Sequence, residues 1–317
     1  MTHPKTRNHQ EKILVPPRAA GLRLDLFLVD HLDGVSRKAI KKALDRGQVF
    51  VDGRNVRRAN YSLGGGETVL LTVEVAVSEP STPDCPILFR DEHLLAIAKP
   101  AGLPCHPTVA GRCNALDIVT DRLRREGRDA PPILLHRLDA DTTGVLLFAL
   151  SKEANHALAD QFSQHALQKI YLALVSGGPP ATFRVENYLK AGPRGRTVAV
   201  TSGGAPARTD FRTLAAGADF ALVEACPETG RTHQIRVHLA GAGHPLLGDR
   251  LYGGPEHLES DGLRFLFRRH LLHAWQLDFQ HPVDGRMLIS APLPDDFAGP
   301  LAALELSSAS LCLRTGK

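Results

Sequence analysis

Two rhythms of apolar residues run through this chain. Near the front, Ile40, Ala43 and Leu44 recur at helical spacing, with Ser36 placed to cap the helix and Gly47 to stop it. Val49-Phe50-Val51, the pair Asp52-Gly53, and Arg54-Asn55-Val56 then predict a tight hairpin. Further on come short apolar runs: His93–Pro100, Ile133–His136, Gly144–Leu150, Tyr171–Val175, Phe220–Ala225 and His233–Leu239. They are too short for helices and predict buried strands. If the last is a strand, His233, Ile235, Val237 and Leu239 share one face, and Thr232, Gln234, Arg236 and His238 the other. Ala154, Leu158 and Phe162 mark a helix within Ser151–Leu167.

Many strands with few helices between them predict an α+β fold. Its large domain is built on a mostly antiparallel mixed sheet with peripheral helices, and a small α/β module precedes it. Pro80, Pro83 and Pro86, with Ser78, Ser81 and Thr82, mark the linker. The boundaries follow: a loose polar lead-in over 1–20, the module over 21–75, the linker over 76–86, the large domain over 87–295 and a tail over 296–317.

Composition narrows the class. Hydrophobic residues are 43% and charged residues 23% of the 317, the balance of a soluble globular protein. No apolar run approaches the roughly 18 residues of a membrane helix, and the first residues lack a secretory apolar core. The five cysteines are scattered without a C-x-x-C pair, which points to reduced thiols in the cytoplasm and away from a zinc ribbon. No Walker or Rossmann glycine spacing occurs, so no nucleotide cofactor is indicated.

Charge is concentrated. Between Ser36 and Arg58, eight basic residues (Arg37, Lys38, Lys41, Lys42, Arg46, Arg54, Arg57 and Arg58) face Asp45 and Asp52, a local +6 against +4 for the whole chain. Arg37/Lys41 and Lys38/Lys42 stack like charges one helical turn apart, which opposes the helix unless a polyanion receives them. Helix, hairpin and basic stripe follow Arg23-Leu24-Asp25 in an order that resembles the small RNA-binding module first seen in ribosomal small-subunit protein four, over about 23–71.

The candidate chemistry lies in His136-Arg137-Leu138-Asp139, where an apolar run delivers polar groups into a loop of small residues closed by Gly144. By composition Asp141 competes with Asp139, and either could be a simple turn-former. His233 and His238 would lie on opposite faces of the expected strand, which weighs against a metal site.

These motifs, with Lys99–Pro107, Lys169-x-Tyr171-x-Ala173-x-Val175, Ala207–Phe211, Arg231–Leu239, Gly248–Gly254 and Leu272–Pro282, resemble the RluA/RluD-type pseudouridine synthases over about 86–290. Thr143 departs from the more usual serine, and 253–270 forms a somewhat long connection. The resemblance implies an isomerase that converts uridine in RNA, most readily large-subunit rRNA, to pseudouridine without a cofactor or metal. It assigns Asp139 as the catalytic carboxylate, Tyr171 as the ring that stacks on uracil and Arg236 as the partner of the aspartate. RNA contacts are expected from Arg37, Lys38, Lys41, Lys42, Arg46, Arg54, Arg57, His136 and Arg137. The partner is RNA, ribosomal or transfer, with no membrane, and the enzyme is expected to be monomeric. Three rivals remain: a non-catalytic RNA-binding or ribosome-assembly factor, a nucleoside or glycoside hydrolase needing a second carboxylate, and a metal-dependent nuclease.

Overall fold

The computed structural model describes residues 6–31, 37–76, 83–108, 113–260 and 263–304. The chain forms two compact units, Met1–Ser81 and Thr82–Lys317.

The small unit contains β1 (Thr6–Leu14), α1 (Leu24–His31), α2 (Arg37–Asp45), β2 (Val49–Val51), β3 (Arg54–Asn55) and β4 (Thr68–Ala76). Its antiparallel sheet has the order β1-β4-β2-β3. Helix α2 stops as expected: Gly47 takes φ 69°, and the Gln48 N–H returns to the Ala43 carbonyl at 2.9 Å. Ile40, Ala43 and Leu44 are buried with Phe27 and Leu28 against Val49, Val51, Val69 and Leu71. Asp52 and Gly53 both adopt positive φ, which the two-residue hairpin demands. The N-cap expected at Ser36 lies outside the described residues.

The lead-in over 1–20 is not loose throughout. Thr6–Leu14 pairs with Thr68–Ala76 over nine residues, and Val15 and Ala19 are buried. An edge strand takes its order from its neighbour's backbone, so a polar stretch such as Thr6–Lys12 forms one without apolar alternation.

The large unit begins with β5 (Ile87–Arg90), β6 (Leu94–Lys99), α3 (Ala115–Arg125), β7 (Ile133–Leu134), β8 (Thr143–Ala149) and α4 (Lys152–Ser163). It continues with β9 (Gln168–Ser176), β10 (Thr182–Ala191), β11 (Thr197–Val200), β12 (Ala205–Ala216), β13 (Phe220–Pro227) and α5 (Gln234–Gly241). After the hairpin β14 (His257–Ser260) and β15 (Leu263–Leu266) come β16 (Leu272–His281), β17 (Gly285–Ser290) and α6 (Ala298–Ala303). Among the described residues one eleven-stranded sheet runs β11-β10-β12-β13-β9-β16-β8-β6-β5, with β17 on β16 and β7 on β8. Of its pairings only β16 with β8 is parallel, as expected of a mostly antiparallel mixed sheet.

Strand β8 is buried at every position because both faces are covered. Leu146 and Phe148 meet Val119 and Leu123 of α3, while Val145, Leu147 and Ala149 meet Ala154 and Leu158 of α4. Ser151 caps α4 by accepting the Ala154 N–H at 3.1 Å. Gly144 has φ 121°, and a Cβ there would overlap the carbonyl oxygen of Ala274. Only glycine lets β8 and β16 approach this closely.

Three expectations are corrected. His233–Leu239 is not a strand: Gln234–Gly241 is helical, and Gln234 through Leu239 are all buried. A helix enclosed on every side shows no amphipathic period, and Ile235 and Val237 imitate a strand. The face assignments based on alternation, and the argument placing His233 and His238 on opposite faces, therefore fall. The run Ile133–His136 forms only a two-residue strand, Ile133–Leu134, with one further backbone bond from the Leu135 N–H to the Leu147 carbonyl at 3.2 Å. The tail is packed at its start, where Phe297 and Leu301 are buried with Trp275 and Phe220.

Candidate active site

Asp139, Tyr171 and Arg236 come from three separate parts of the chain and line one cavity of about 510 Å³. The loop between β7 and β8 carries Asp139, and its backbone is held at successive residues. The Cys105 thiol donates to the Leu138 carbonyl and accepts the Leu138 N–H, both at 3.2 Å. Lys99, 1% exposed, spends its three donors on the carbonyls of Pro100, Leu103 and Ala140 at 2.7–2.8 Å. Burial pulls its pKa down to about 8. Arg269 donates to the Asp141 carbonyl at 2.9 Å, and the hydroxyls of Thr142 and Thr143 bond His270 and His273, each at 2.8 Å. A carboxylate on a loop fixed in this way keeps its position without help from substrate.

The Arg236 Nη1 donates to Asp139 Oδ2 at 3.0 Å. Its Nε and Nη2 donate to both oxygens of Asp249 at 2.7 and 2.8 Å, and its guanidinium lies 5.0 Å from the Tyr252 ring centroid. Burial works against the charge of Arg236, but the bonds and charges of Asp249 and Asp139 outweigh it and raise the pKa. His233, the left-handed residue before α5 at φ 56°, shares a 2.8 Å bond with the Tyr252 hydroxyl. Its Nε2 lies 3.8 Å from Asp139. Burial lowers its pKa, which keeps the ring neutral. Burial, followed by the charge of Asp139, raises the pKa of Tyr171 and keeps its hydroxyl protonated.

Asp141, the sequence competitor, is exposed and absent from the cavity lining. Arg137 is exposed at the cavity. His136 also lines it, but as a neutral ring: it stacks on Phe162, accepts the Leu147 N–H at 3.2 Å, and burial lowers its pKa to about 3. On the small unit Lys41, Lys42, Arg46, Arg54 and Arg57 are exposed, whereas the side chains of Arg37 and Lys38 lie outside the described residues.

Sequence reasoning missed Asp249, Tyr252 and His233 as parts of the site. The signal lay in Gly248–Gly254. Gly248 and Gly254 sit where a Cβ would strike the carbonyl oxygens of Arg269 and Leu246, so this turn packs tightly enough to place Asp249 beneath α5.

The large unit matches the family model described as RNA pseudouridylate synthase over residues 93–241, and the small unit matches the S4 domain over 22–69. Fold and matches define the class: an RNA-modifying isomerase that carries an RNA-binding module. The chain is 37% identical over 305 residues to ribosomal large subunit pseudouridine synthase D of Nitrosomonas europaea, covering 92% of this chain and 87% of that protein. It is 36% identical to ribosomal large subunit pseudouridine synthase C of Vibrio cholerae, covering 86% and 90%. Human RNA pseudouridylate synthase domain containing 4 superimposes with a TM-score of 0.54 at 30% identity, over 70% of this chain and 93% of that one. The chain belongs to the RNA pseudouridylate synthase family.

Proposed function

We propose that this enzyme isomerises uridines of large-subunit rRNA, with Asp139 as the catalytic carboxylate. One observation carries the assignment: Asp139 is the carboxylate that reaches the cavity, and Arg236 pairs with it there at 3.0 Å. The reaction breaks the bond between uracil N1 and the sugar C1′, turns the base and joins C5 to C1′. N1 gains a proton and C5 loses one, so atoms and electrons balance without an oxidant or a second substrate. The reading accordingly includes no cofactor. A carboxylate serves either by attacking C1′ or by taking the C2′ proton. Tyr171, aromatic and kept neutral, offers a face for uracil and a hydroxyl for proton transfer. The target base must leave its stack to reach the cavity, at about a few kcal/mol. Contacts from the S4 unit and from Arg137 would offset that cost. The ribosomal substrate is drawn from the names of the relatives, and the same reading takes the enzyme to act as a cytoplasmic monomer.

Pseudouridine mapping of large-subunit rRNA treated with purified enzyme tests this. Wild type is expected to form pseudouridine and Asp139→Asn to lose about a thousandfold or more in rate while staying folded. Asp141→Asn is expected to retain most activity. Reversal of the two mutants would move the catalytic role to Asp141.

A further inference from the structure

Burial lowers the pKa values of two lysines of the large unit to about 8: Lys99, 1% exposed, and Lys169, half-buried at the cavity. Lys99 has each of its three donors on a backbone carbonyl. Lys169 lines the cavity and, among the described residues, donates one hydrogen bond, to the Thr229 carbonyl at 3.2 Å, and makes no ion pair. An ammonium has three N–H groups, so two remain for the cavity. A half-buried charge with open donors at a cavity is stabilised when an anion entering that cavity supplies the counter-charge. Arg236 does not leave its charge open in this way, because Asp249 and Asp139 take it.

Position suggests the ligand. Lys169 stands two residues before Tyr171 on β9, so both side chains leave the same face, about 6–7 Å apart along the strand. With uracil against Tyr171 and the sugar at Asp139, a cation at that distance lies within reach of the backbone flanking the extruded nucleotide. We propose that Lys169 binds a phosphate oxygen of the RNA backbone next to the target uridine, and so holds the flipped nucleotide in the cavity.

The inference rests on the cavity being the uridine site, and the test separates the two claims. Binding of a large-subunit rRNA fragment that the wild type modifies is measured across a salt series. Full-length protein is used in the Asp139→Asn background, with Lys169 intact, Lys169→Gln or Lys169→Arg. Loss of one phosphate contact lowers the slope of log affinity against log salt by about 0.7–0.9. The Lys169-intact protein is therefore expected to lose about 2.5- to 3.5-fold more affinity than Lys169→Gln between about 50 and 200 mM salt. At the lower salt Lys169→Gln is expected to bind about tenfold or more weakly. Lys169→Arg should restore both slope and affinity, which a fault in folding or packing would not allow. Parallel slopes, whether affinity falls or not, would overturn the phosphate contact, since a bond to a uracil oxygen releases no counterion. If Lys169→Gln proves unfolded, Lys169→Met, which keeps the aliphatic stem and removes the charge, decides: a slope lower by about 0.7–0.9 supports the contact, and a parallel slope overturns it. Failure of the wild type to form pseudouridine in any fragment would instead defeat the reading of the cavity.

Discussion

Asp139 and Asp249 share one guanidinium: Asp249 takes the Nε and Nη2 edge of Arg236 while Nη1 is left to Asp139. A bidentate Arg–carboxylate pair fixes the plane of the guanidinium as well as its distance. Asp249, 1% exposed, therefore decides where Arg236 points and, through it, how Asp139 is held.

For Asp249→Asn we expect a fall in kcat of about a hundredfold, the cost of a misplacement near 1 Å, with RNA affinity nearly unchanged. Stability should also fall, by about 3 kcal/mol, because a buried ion pair loses one partner. Single-turnover rates and a urea titration read both. A variant with wild-type kcat would reduce Asp249 to a packing role.

Tyr171→Phe keeps the aromatic face, so RNA binding should remain within about twofold of wild type, while turnover falls if the hydroxyl moves the C5 proton. Tyr171→Leu should also lose stacking, worth roughly 1–3 kcal/mol of binding. Equal and near-normal turnover in both variants would leave Tyr171 as part of the cavity wall.

Acid should unfold this protein early. His238, His270 and His273 are buried, and burial lowers their pKa values from 6.5 to about 4. The unfolded chain takes up these protons near pH 6.5, the folded chain only near pH 4. Between those values the unfolded state holds more protons, so the stability is fully present above 6.5 and is lost as pH falls towards 4. Each histidine contributes up to about 1.4 kcal/mol per pH unit in that window. Urea midpoints at a series of pH values between 7 and 5 check this, and a flat profile would contradict it.

The basic face of the small unit should govern affinity rather than chemistry. Neutralising Arg37, Lys38, Lys41 and Lys42 together is expected to remove about four phosphate contacts and to lower the salt slope by roughly 3 on single-stranded RNA. The rate at saturating RNA should barely change. Salt dependence parallel to wild type would show that these charges are merely solvated.

Much of this was legible in the chain itself. Gly47, Asp52-Gly53 and the Ile40/Ala43/Leu44 face announced the helix and hairpin of the small unit, because caps and tight turns are decided by a few neighbouring residues. The run Gly144–Leu150 announced a central strand, because a strand covered on both faces is apolar throughout. His136–Asp139 and Arg236 stood out in motifs whose order along the chain is specific.

Tertiary structure decided the rest, for reasons of enclosure and distance. Helix α5 gave no period because its residues Gln234–Leu239 are all buried, so local pattern favoured the wrong element. β1 is polar and exists because β4 offers it a backbone edge. Which of Asp139 and Asp141 lines the cavity and meets Arg236 depends on how the loop turns, and Lys99, Cys105 and Arg269 from elsewhere in the chain hold that loop. Lys169 and Lys99 are the same residue type with the same lowered pKa. Their burial and the positions of nearby carbonyls make one a fully enclosed brace for the loop and leave the other half-buried with open donors facing the cavity.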